Sequence, residues 1–578
     1  MKPSYPILIR RVGIAVLVLV LLLVGLTYAG HRSGLLESWT GEVTLVEQLK
    51  GTAALALLKL SQPTPQTAPY TPMPYTGVCP YGVNTFLEQE AEVAKVERSL
   101  ELIRDAGFCW IRQEFPWEDI EISAKGDYWD HKWDIDAWAK YDRIVDLAER
   151  YDIEIIARLD RPPAWSRVVG SAEGWTMAPP DNYDDFGDFV YAVVSRYKGR
   201  IKYYQIWNEP NIYPEWGDQA TDPAAYTKLL QIAYRRAKEA DPNCVIIAAA
   251  LAQTTEETPM IYQPRNLSDL TYLEMMYQAG ARGSFDIMGA MVYGLWTGPA
   301  DQRTSRDRAN YARVQLLREI MVRNDDAAVP IWASEVGWNA QPETLEGPVP
   351  YGRVTLEQQA RYAVQAYQRA RDEWPWMGVM NYWFLRRASD AEVNQPWYYF
   401  RMFEPDFTPL PVAESMRALM QTPAYIPPGY WQEDHWVLQY TGSWQLQTEP
   451  QAVLGAYQRG DQDAAVTLRT NGGRVEVILW QPAQAAVLEV TVDGASSRTI
   501  ELAAGSEPSR TVVLADRLRP GEHTLALRVV SGTLNLDGLL VYPVPSRAGE
   551  WVGLALGAVM LLVATSLILR RKHRVNPR

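Results

Sequence analysis

One stretch near the middle of the chain decides the fold: Tyr203-Tyr204-Gln205-Ile206-Trp207-Asn208-Glu209-Pro210. Its first residues are mostly apolar or aromatic and are typical of a buried strand, and an amide and a carboxylate follow directly. A second stretch repeats the pattern 126 residues later and again ends on a carboxylate: Ile331-Trp332-Ala333-Ser334-Glu335. Each pattern predicts a buried parallel strand with an acidic side chain at its C-terminal end.

Further strand-like segments surround these two between residues 77 and 422. The predicted strands cover residues 81–84, 108–112, 153–159, 201–207, 245–248, 285–292, 330–334 and 377–383. Helical periodicity precedes nearly all of them, and this alternation predicts the α/β class and a (β/α)8 TIM barrel over residues 77–422. Chemistry in that fold lies at the C-terminal ends of the strands, where we expect both Glu209 and Glu335.

The chain changes character after residue 422. Residues 423–429 contain three prolines and a glycine, which indicates a domain boundary. Short alternating segments separated by turn signals then predict a C-terminal β-sandwich over residues 423–545, similar to a jelly roll. A glycan-binding role and a purely spacing role are equally compatible with its aromatic residues, Trp431, Trp436, Tyr440 and Trp444.

Both ends of the chain are hydrophobic. Two apolar runs beside basic clusters predict transmembrane helices at residues 12–29 and 550–569, with a cleaved signal peptide as the alternative for the first. We therefore expect a cell-membrane protein with both termini cytoplasmic, a lipid bilayer as partner and the barrel outside. The remaining segments would be a cytoplasmic N-terminus, a helical stalk with a Pro-rich linker, and a basic tail, at residues 1–11, 30–76 and 570–578.

Composition narrows the possible partners. The net charge of −13 argues against nucleic acid, because phosphate binding needs a basic surface. Cys79 and Cys109 lie near the starts of adjacent predicted strands and could pair, but three buried free thiols are the favoured expectation. No His and Cys cluster has metal-ligand spacing, and no phosphate-binding glycine loop is present, so we predict neither a metal nor a cofactor.

Two strand-end carboxylates in a Trp-rich chain indicate cleavage of glycosidic bonds. One acid can protonate the leaving oxygen while the other attacks the anomeric carbon. The 22 tryptophans fit this chemistry, because an indole ring can pack against the apolar face of a sugar. Each candidate also has a purely structural alternative. A glutamate at the end of a strand can be a solvated loop residue. Arg112 can belong to a structural ion pair, and Tyr293 can pack at the rim of the barrel.

The motif Asn208-Glu209-Pro210 and the strand ending in Glu335 resemble the clan A retaining glycoside hydrolases, and most closely those of family 39. Further segments of that resemblance, which covers about residues 77–422, are 111–121, 162–165 and 406–411. Relatives often carry His-x-Tyr at the end of strand six, whereas this chain has Met291-Val292-Tyr293. The resemblance implies an O-glycosyl hydrolase acting on β-linked polysaccharide or cell-surface glycan, with carboxyls about 5–5.5 Å apart.

The resemblance also assigns roles to residues. Glu209 would be the acid/base and Glu335 the nucleophile, with Arg112 and Tyr293 keeping Glu335 ionised. Asn208 would bind the sugar 2-hydroxyl and Trp383 would form the floor under the sugar. Two alternatives remain open: a non-catalytic glycan-binding or scaffold protein, and a transglycosylase that remodels exopolysaccharide.

More distant substrate contacts are less certain from the sequence. Trp165 and Trp338 are included among the substrate-binding residues, although each can equally be core at the barrel rim. The same two interpretations apply to Trp216 and Trp296. The strand-end acids Glu114, Glu118 and Asp160 are weaker candidates.

Overall fold

The computed structural model describes residues 24–167, 177–480, 485–505 and 508–545. The chain forms two compact units. The first comprises Met1–Pro423 and Tyr430–Trp436, and the second Ala424–Gly429 and Val437–Arg578. Trp431 and Trp436, which the sequence assigned to the C-terminal domain, therefore belong to the first unit.

Parallel strands form a barrel in the first unit, as the sequence predicts. They are β1 Tyr81–Thr85, β2 Trp110–Pro116, β5 Glu154–Asp160, β6 Tyr203–Ile206, β7 Val245–Ala248, β8 Met288–Met291, β9 Ile331–Val336 and β10 Met377–Tyr382. A small hairpin, β3 Trp129–Asp130 and β4 Ile135–Asp136, lies in the loop after β2. The sheet order is β7-β6-β5-β2-β1-β10-β9-β8, and the bridges Ile247↔Ile287 and Leu251↔Ala290 close the barrel between β7 and β8.

Two helices precede the first strand, and the others follow or connect the strands of the barrel. They are α1 Leu35–Thr40, α2 Leu45–Ser61, α3 Val93–Ala106, α4 Trp117–Ile120, α5 Ala139–Arg150, α6 Tyr183–Arg196, α7 Pro223–Ala240, α8 Asp269–Gln278, α9 Val314–Arg323, α10 Leu356–Glu373 and α11 Pro411–Met420. In α6, buried apolar residues recur every three or four positions, so one stripe of the helix packs against the barrel. The predicted stalk forms two helices, α1 and α2, and α8 was not predicted.

Aromatic side chains fill the lower, N-terminal end of the barrel interior. The rings of Trp110, Tyr203 and Trp332 meet with centroid distances of 5.0–5.4 Å. Apolar side chains from five other strand positions complete this cluster. The barrel is therefore closed at its lower end by a packed aromatic core.

Cys79 and Cys109 form a disulfide, so the expectation of three free thiols is wrong. The main-chain amide of Cys109 donates to the carbonyl of Tyr81 at 2.9 Å, at the start of the paired strands β1 and β2. That pairing holds the two Cα atoms 6.4 Å apart, within the range a disulfide spans. Cys244 is a buried free thiol.

The described residues of the second unit form the strands β12 Gln439–Thr441, β13 Trp444–Thr448, β14 Ala456–Gly460, β15 Ala465–Thr470, β16 Arg474–Trp480, β17 Ala486–Val492, β18 Ser496–Leu502, β19 Ser509–Ala515, β20 His523–Ser531 and β21 Leu534–Tyr542. They lie in two antiparallel sheets with strand orders β13-β14-β21-β16-β19 and β12-β15-β20-β17-β18. A short strand, β11 Gly429–Trp431, spans the residue boundary between the two units. Burial alternates along β15 and β20, as in a sheet with one face covered. The rings of Tyr440 and Trp444 pack together at 4.8 Å, and glycan binding by this unit stays a prediction.

The membrane localisation expected from the sequence is wrong for the described part of the chain. Within residues 24–167, 177–480, 485–505 and 508–545, every helix is too short or too polar to cross a bilayer. The predicted spans at residues 12–29 and 550–569 lie outside the described residues, apart from 24–29, which are helical.

Candidate active site

A left-handed turn at the end of β6 presents Asn208 and Glu209 at the C-terminal end of the barrel. Trp207 has φ 73° and Glu209 has φ 42°, a conformation that costs non-glycine residues about 1–2 kcal/mol each. The two neighbouring strands hold the turn, because the amide of Trp207 donates to Leu159 and that of Glu209 to Ala250, both at 3.0 Å. Positive φ at such residues is concentrated at functional sites.

An irregularity in strand pairing aims Glu335 at the same place. The register between β8 and β9 shifts between the pairs Ala290↔Ala333 and Met291↔Glu335. The amide of Val292 then donates to the carbonyl of Glu335 at 2.9 Å. Bulges of this kind redirect a side chain, and here Glu335 is 5% exposed and its carboxylate accepts from Arg112 inside the barrel.

Arg112 joins the candidate residues into one network. Its Nη1 donates to Glu335 Oε1 at 3.0 Å, and its Nη2 donates to Asn208 Oδ1 at 2.8 Å. Burial lowers the pKa of the Arg112 guanidinium, and the charge of Glu335 opposes this. A buried guanidinium with several oxygen acceptors is expected to keep its charge, so Arg112 is an internal counter-ion for Glu335.

Two amides that the sequence did not single out hold Arg112 in place. Gln205 Oε1 accepts from Nε at 2.7 Å, and Asn84 Oδ1 accepts from Nη1 at 2.8 Å. Both amides also donate to Ser334. Gln205 donates to its hydroxyl and Asn84 donates to its main-chain carbonyl, each at 3.0 Å. A polar residue inside an otherwise buried strand was the available signal for Gln205 and Asn84.

Tyr293 supplies the second donor to Glu335. Its hydroxyl donates to Oε2 at 2.5 Å, so both oxygens of the carboxylate accept a hydrogen bond. Burial and the charge of Glu335 raise the pKa of Tyr293 well above its usual value, so the phenol keeps the proton that it donates. Gln253, also missed from the sequence, accepts from the Tyr293 amide at 2.8 Å. Two donors thus stabilise negative charge on Glu335.

Glu209 has the opposite environment. Burial raises the pKa of its carboxyl well above the usual value, and the charges of Glu335 and Glu215 raise it further. Arg112 and Arg158 act against this rise without cancelling it. Glu209 therefore holds a proton at a pH where an exposed glutamate has lost it. The site thus combines an acid whose raised pKa favours its protonated form with a carboxylate that accepts two hydrogen bonds.

Aromatic residues line the site on the side of β8 to β10. Phe400 contacts both Tyr293 and Tyr351, with ring centroids 5.4 and 5.7 Å apart. Burial, together with Glu209 and Glu335, raises the pKa of Tyr351 to about 12, and the sequence gave no signal for this residue. The amide of Trp383 donates to Val336 at 2.9 Å, which places Trp383 beside the strand that carries Glu335.

The four predicted tryptophan platforms differ in exposure. Trp338 is 0% exposed and its indole N–H donates to Thr297 at 2.8 Å, so it belongs to the core and offers no face to a ligand. Trp216 is also core. Trp165 is half-buried, and its indole N–H donates to the carbonyl of Glu121 at 2.9 Å. Trp296 is 60% exposed.

The weaker acidic candidates are mostly tied to arginines. Arg158 forms ion pairs with Glu114 at 2.5 Å and with Asp160 at 2.9 Å. Burial raises the pKa of Glu114, but Arg158 and Arg161 outweigh it and hold the pKa at about 2. Burial raises the pKa of Asp160 to about 7, against the effect of Arg158. These groups form a second polar layer beside the site.

No protein-family model matches the chain, and no curated protein matches it. Solved structures do match it. A family 39 glycoside hydrolase from Bacteroides cellulosilyticus WH2 is 17% identical with a TM-score of 0.44, covering 78% of this chain and 80% of that chain. A family 39 β-xylosidase from Caulobacter crescentus is 14% identical with a TM-score of 0.41, covering 80% of this chain and 98% of that chain.

A third match, xylanase 10B from Thermotoga maritima, is 18% identical with a TM-score of 0.39, covering 59% of this chain and 94% of that chain. Two of these three proteins are family 39 enzymes. Because all three TM-scores lie below 0.5, the activity has to be argued from the residues of the site.

Proposed function

We propose that the protein is a retaining glycoside hydrolase that cleaves β-glycosidic bonds in an oligo- or polysaccharide. The observation that carries the proposal is the contrast between the two carboxyls. Burial and neighbouring charges raise the pKa of Glu209, whereas Glu335 accepts hydrogen bonds from Arg112 and Tyr293 on its two oxygens. Double displacement requires this pair, one acid that holds a proton and one carboxylate that is free to attack.

In the first step, Glu335 attacks the anomeric carbon and forms a covalent glycosyl ester. The bond to the leaving oxygen breaks, and Glu209 gives its proton to that oxygen. As the charge of Glu335 is lost, Arg112 and Tyr293 stay in place to stabilise the carboxylate when it is released again. Glu209 is then ionised and prepared to act as a base.

In the second step, the Glu209 carboxylate takes a proton from water, and the resulting hydroxide attacks the same carbon. The ester bond to Glu335 breaks, and the sugar leaves with its original β configuration. Asn208 Oδ1 accepts from Arg112, so its NH2 group is the end that remains for a substrate hydroxyl. A contact from that amide to the sugar 2-hydroxyl would strengthen in the transition state.

The decisive experiment measures sugar release by the full-length protein from β-linked polysaccharides and aryl β-glycosides. We expect activity in the wild type and a loss of about a thousandfold or more in Glu335→Gln, because the nucleophile is absent. Glu209→Gln should lose activity on natural substrates and keep part of it on aryl glycosides whose leaving group needs no proton. Glu346→Gln, an exposed acid in the loop after β9, is the matched control and should be unchanged.

Proton NMR of the first product decides the stereochemistry. Early appearance of the β anomer agrees with retention, and early appearance of the α anomer would contradict the nucleophile role of Glu335. Glycan binding without any sugar release would favour a non-catalytic binding protein. Transfer of the sugar to an added acceptor, in preference to water, would favour a transglycosylase.

A further inference from the structure

Gln205 connects the strand that leads to the acid with the strand that carries the nucleophile. It lies on β6, four residues before Glu209, and it is 0% exposed. Its amide nitrogen donates to the hydroxyl of Ser334 at 3.0 Å, and Ser334 directly precedes Glu335 on β9. Because β7 and β8 lie between β6 and β9 in the sheet, this hydrogen bond crosses the interior of the barrel.

The other end of the Gln205 amide fixes its orientation. Its Oε1 accepts from Nε of Arg112 at 2.7 Å. Since a guanidinium can only donate, the amide oxygen faces Arg112 and the amide nitrogen is left to donate to Ser334. Rotating the amide by 180° would oppose donor to donor at Arg112. The side chain of Gln205 thus joins three strands, β2, β6 and β9.

The neighbouring strands leave room for this amide and hold its partner. Gly289 lies on β8, and a Cβ at this position would stand 3.2 Å from Gln205 Nε2, which is a tight contact. From β1, the side chain of Asn84 donates to the main-chain carbonyl of Ser334 at 3.0 Å. Ser334 is therefore held at its hydroxyl and at its carbonyl, directly before the nucleophile.

Gln205 is also uncharged, and this affects how the charge of Arg112 is used. The side chains that accept from Arg112 are Glu335, Asn84, Gln205 and Asn208. Glu335 is the one carboxylate among these four, and the other three are amides. A carboxylate at position 205 would compete with Glu335 for the same guanidinium.

The charged and titratable groups around the two catalytic carboxyls come from several elements. Arg112 on β2 and Tyr293 after β8 donate to the two oxygens of Glu335. Further groups interact by charge with Glu335, Glu209 or Arg112: Glu215 after β6, Tyr351 after β9, and Arg158 and Asp160 on β5. Gln205 adds no charge to this set.

We propose that Gln205 is a positioning residue for the glycosidase reaction: it is a neutral bridge that holds Arg112 for Glu335 and ties Ser334 to the strand of the acid. This inference rests on the proposed function. Gln205 exchanges no proton with the substrate and acts through Arg112 and Ser334. The proposal has two separable parts, a pair of hydrogen bonds and the neutrality of the amide.

The test for the hydrogen bonds is a double-mutant cycle on kcat/KM with an aryl β-glycoside. Gln205→Met removes both bonds and keeps a straight side chain of similar length, and Ser334→Ala removes one of them. We expect losses of about fiftyfold and about fivefold, and the double variant should lose no more than Gln205→Met alone. Losses that multiply would show that the two residues act independently.

Tyr204→Phe is the matched control for the cycle. Tyr204 precedes Gln205 on the same strand and faces the other side of it, where its hydroxyl donates to the carbonyl of Ile201 at 3.1 Å. This variant also loses a buried hydrogen bond, but its kcat/KM should stay within about twofold of wild type. Thermal unfolding shows which variants are folded at the assay temperature. If Gln205→Met is not folded, Ser334→Ala alone decides.

The test for neutrality is the pH profile of kcat/KM for Gln205→Glu. The Ser334 hydroxyl can turn to donate to the new carboxylate, so this variant keeps both hydrogen bonds and adds only a charge. Sharing Arg112 favours the protonated form of Glu335, and the added negative charge favours the protonated form of Glu209. Both limbs of the profile should therefore move to higher pH, by about one pH unit.

Gln231→Glu is the matched control for the charge. It makes the same replacement at an exposed position on α7, where solvent screens the new carboxylate. Both limbs of its profile should stay where they are in the wild type. A purely structural role of Gln205 would lower the rate of Gln205→Glu without moving either limb.

The outcomes separate two failures. An inactive wild type overturns the proposed function itself. With an active wild type, multiplying losses in the cycle, an unchanged Ser334→Ala, or an equal loss in Tyr204→Phe overturns the role of the hydrogen bonds. Unchanged limbs in Gln205→Glu, or an equal shift in Gln231→Glu, overturn the role of neutrality.

Discussion

The two ends of the barrel interior are built from the same strands and have opposite character. At the lower end lie three aromatic residues, and two positions further along the same strands lie three polar ones: Trp110 and Arg112, Tyr203 and Gln205, Trp332 and Ser334. Every second residue of a strand faces the same side, so two residues that are two positions apart both point into the barrel interior. The same strands thus supply the packed aromatic residues at the lower end and the polar residues of the candidate active site at the upper end.

The two ends also differ in what holds them together. Rings at the lower end meet at 5.0–5.4 Å and are stabilised by burial. At the upper end, a buried guanidinium needs Glu335, Asn84, Gln205 and Asn208 as acceptors to offset the cost of leaving water. An apolar core would be as stable as this network or more so, and therefore the network is best explained by function.

The largest effect is expected for Arg112→Met. The variant leaves Glu335 and three amides without their donor, and breaking a buried ion pair costs about 3–5 kcal/mol of unfolding free energy. We also expect kcat/KM to fall by about a hundredfold or more, because Asn208 and Glu335 lose their common partner. Urea unfolding and aryl glycosidase assays measure the two effects. Arg112→Lys, which keeps the charge, should recover part of both, and a fully active Arg112→Met would refute the network's role.

Trp332→Ala tests the other end and should change stability alone. Replacing a buried Trp by Ala costs about 3–5 kcal/mol, since the cavity left among Trp110 and Tyr203 cannot collapse fully. Below the melting temperature, kcat/KM of the folded fraction should stay within about twofold of wild type. A loss of activity much greater than that would show that the lower end also positions Glu335, and the separation between the two ends would fail.

Tyr293→Phe removes one hydrogen bond at the upper end without opening a cavity. A hydrogen bond to a charged group is worth about 1.5–3 kcal/mol, so kcat/KM should fall about ten- to a hundredfold. The unfolding free energy should fall by about 1.5–3 kcal/mol, because a buried acceptor loses one of its donors. Tyr351→Phe is the matched control, because Tyr351 contacts the same Phe400 ring, and it should lose much less activity. Equal losses in both variants would assign the effect to packing.

The sequence predicted the upper end well where a motif or a strand end marked it. Glu209 and Glu335 follow apolar runs and lie at the C-terminal ends of barrel strands. Arg112 is the third residue of β2, because this strand continues to Pro116, beyond its predicted end at residue 112. Tyr351 could not be found this way, since a tyrosine in a loop has no pattern that separates it from a surface residue. Its place depends on a loop that brings it against Phe400, and sequence spacing does not encode that contact.

The burial of individual aromatic residues was the other feature that the sequence could not predict. Trp338 and Trp296 both follow barrel strands and carry the same local signals, yet Trp338 is core and Trp296 is exposed. The difference arises from tertiary packing, because Trp338 fills the space beside Gly294, where any side chain would collide with its ring. The Cys79–Cys109 pair was left open for a similar reason, since strand register decides it.

Trp296 belongs to neither end of the barrel interior. It is an exposed aromatic residue that takes part neither in the aromatic core of the lower end nor in the hydrogen-bond network of the upper end. Its main-chain nitrogen lies close to Gly352, next to Tyr351, and the residue is 60% exposed. If it stacks on a sugar beyond the cleavage point, Trp296→Ala should lower kcat/KM about fivefold on long substrates and leave aryl monosaccharides unchanged, since one aromatic contact is worth about 1 kcal/mol.

Trp436→Ala is the matched control for that variant. Trp436 is 41% exposed and packs against Tyr81, at the N-terminal end of β1 and so at the lower end of the barrel. It should leave both substrates unchanged. Equal losses on long and short substrates in Trp296→Ala would place the ring in the cleavage subsite instead. An unchanged kcat/KM on both long and short substrates would mean that the ring of Trp296 contributes nothing to substrate binding.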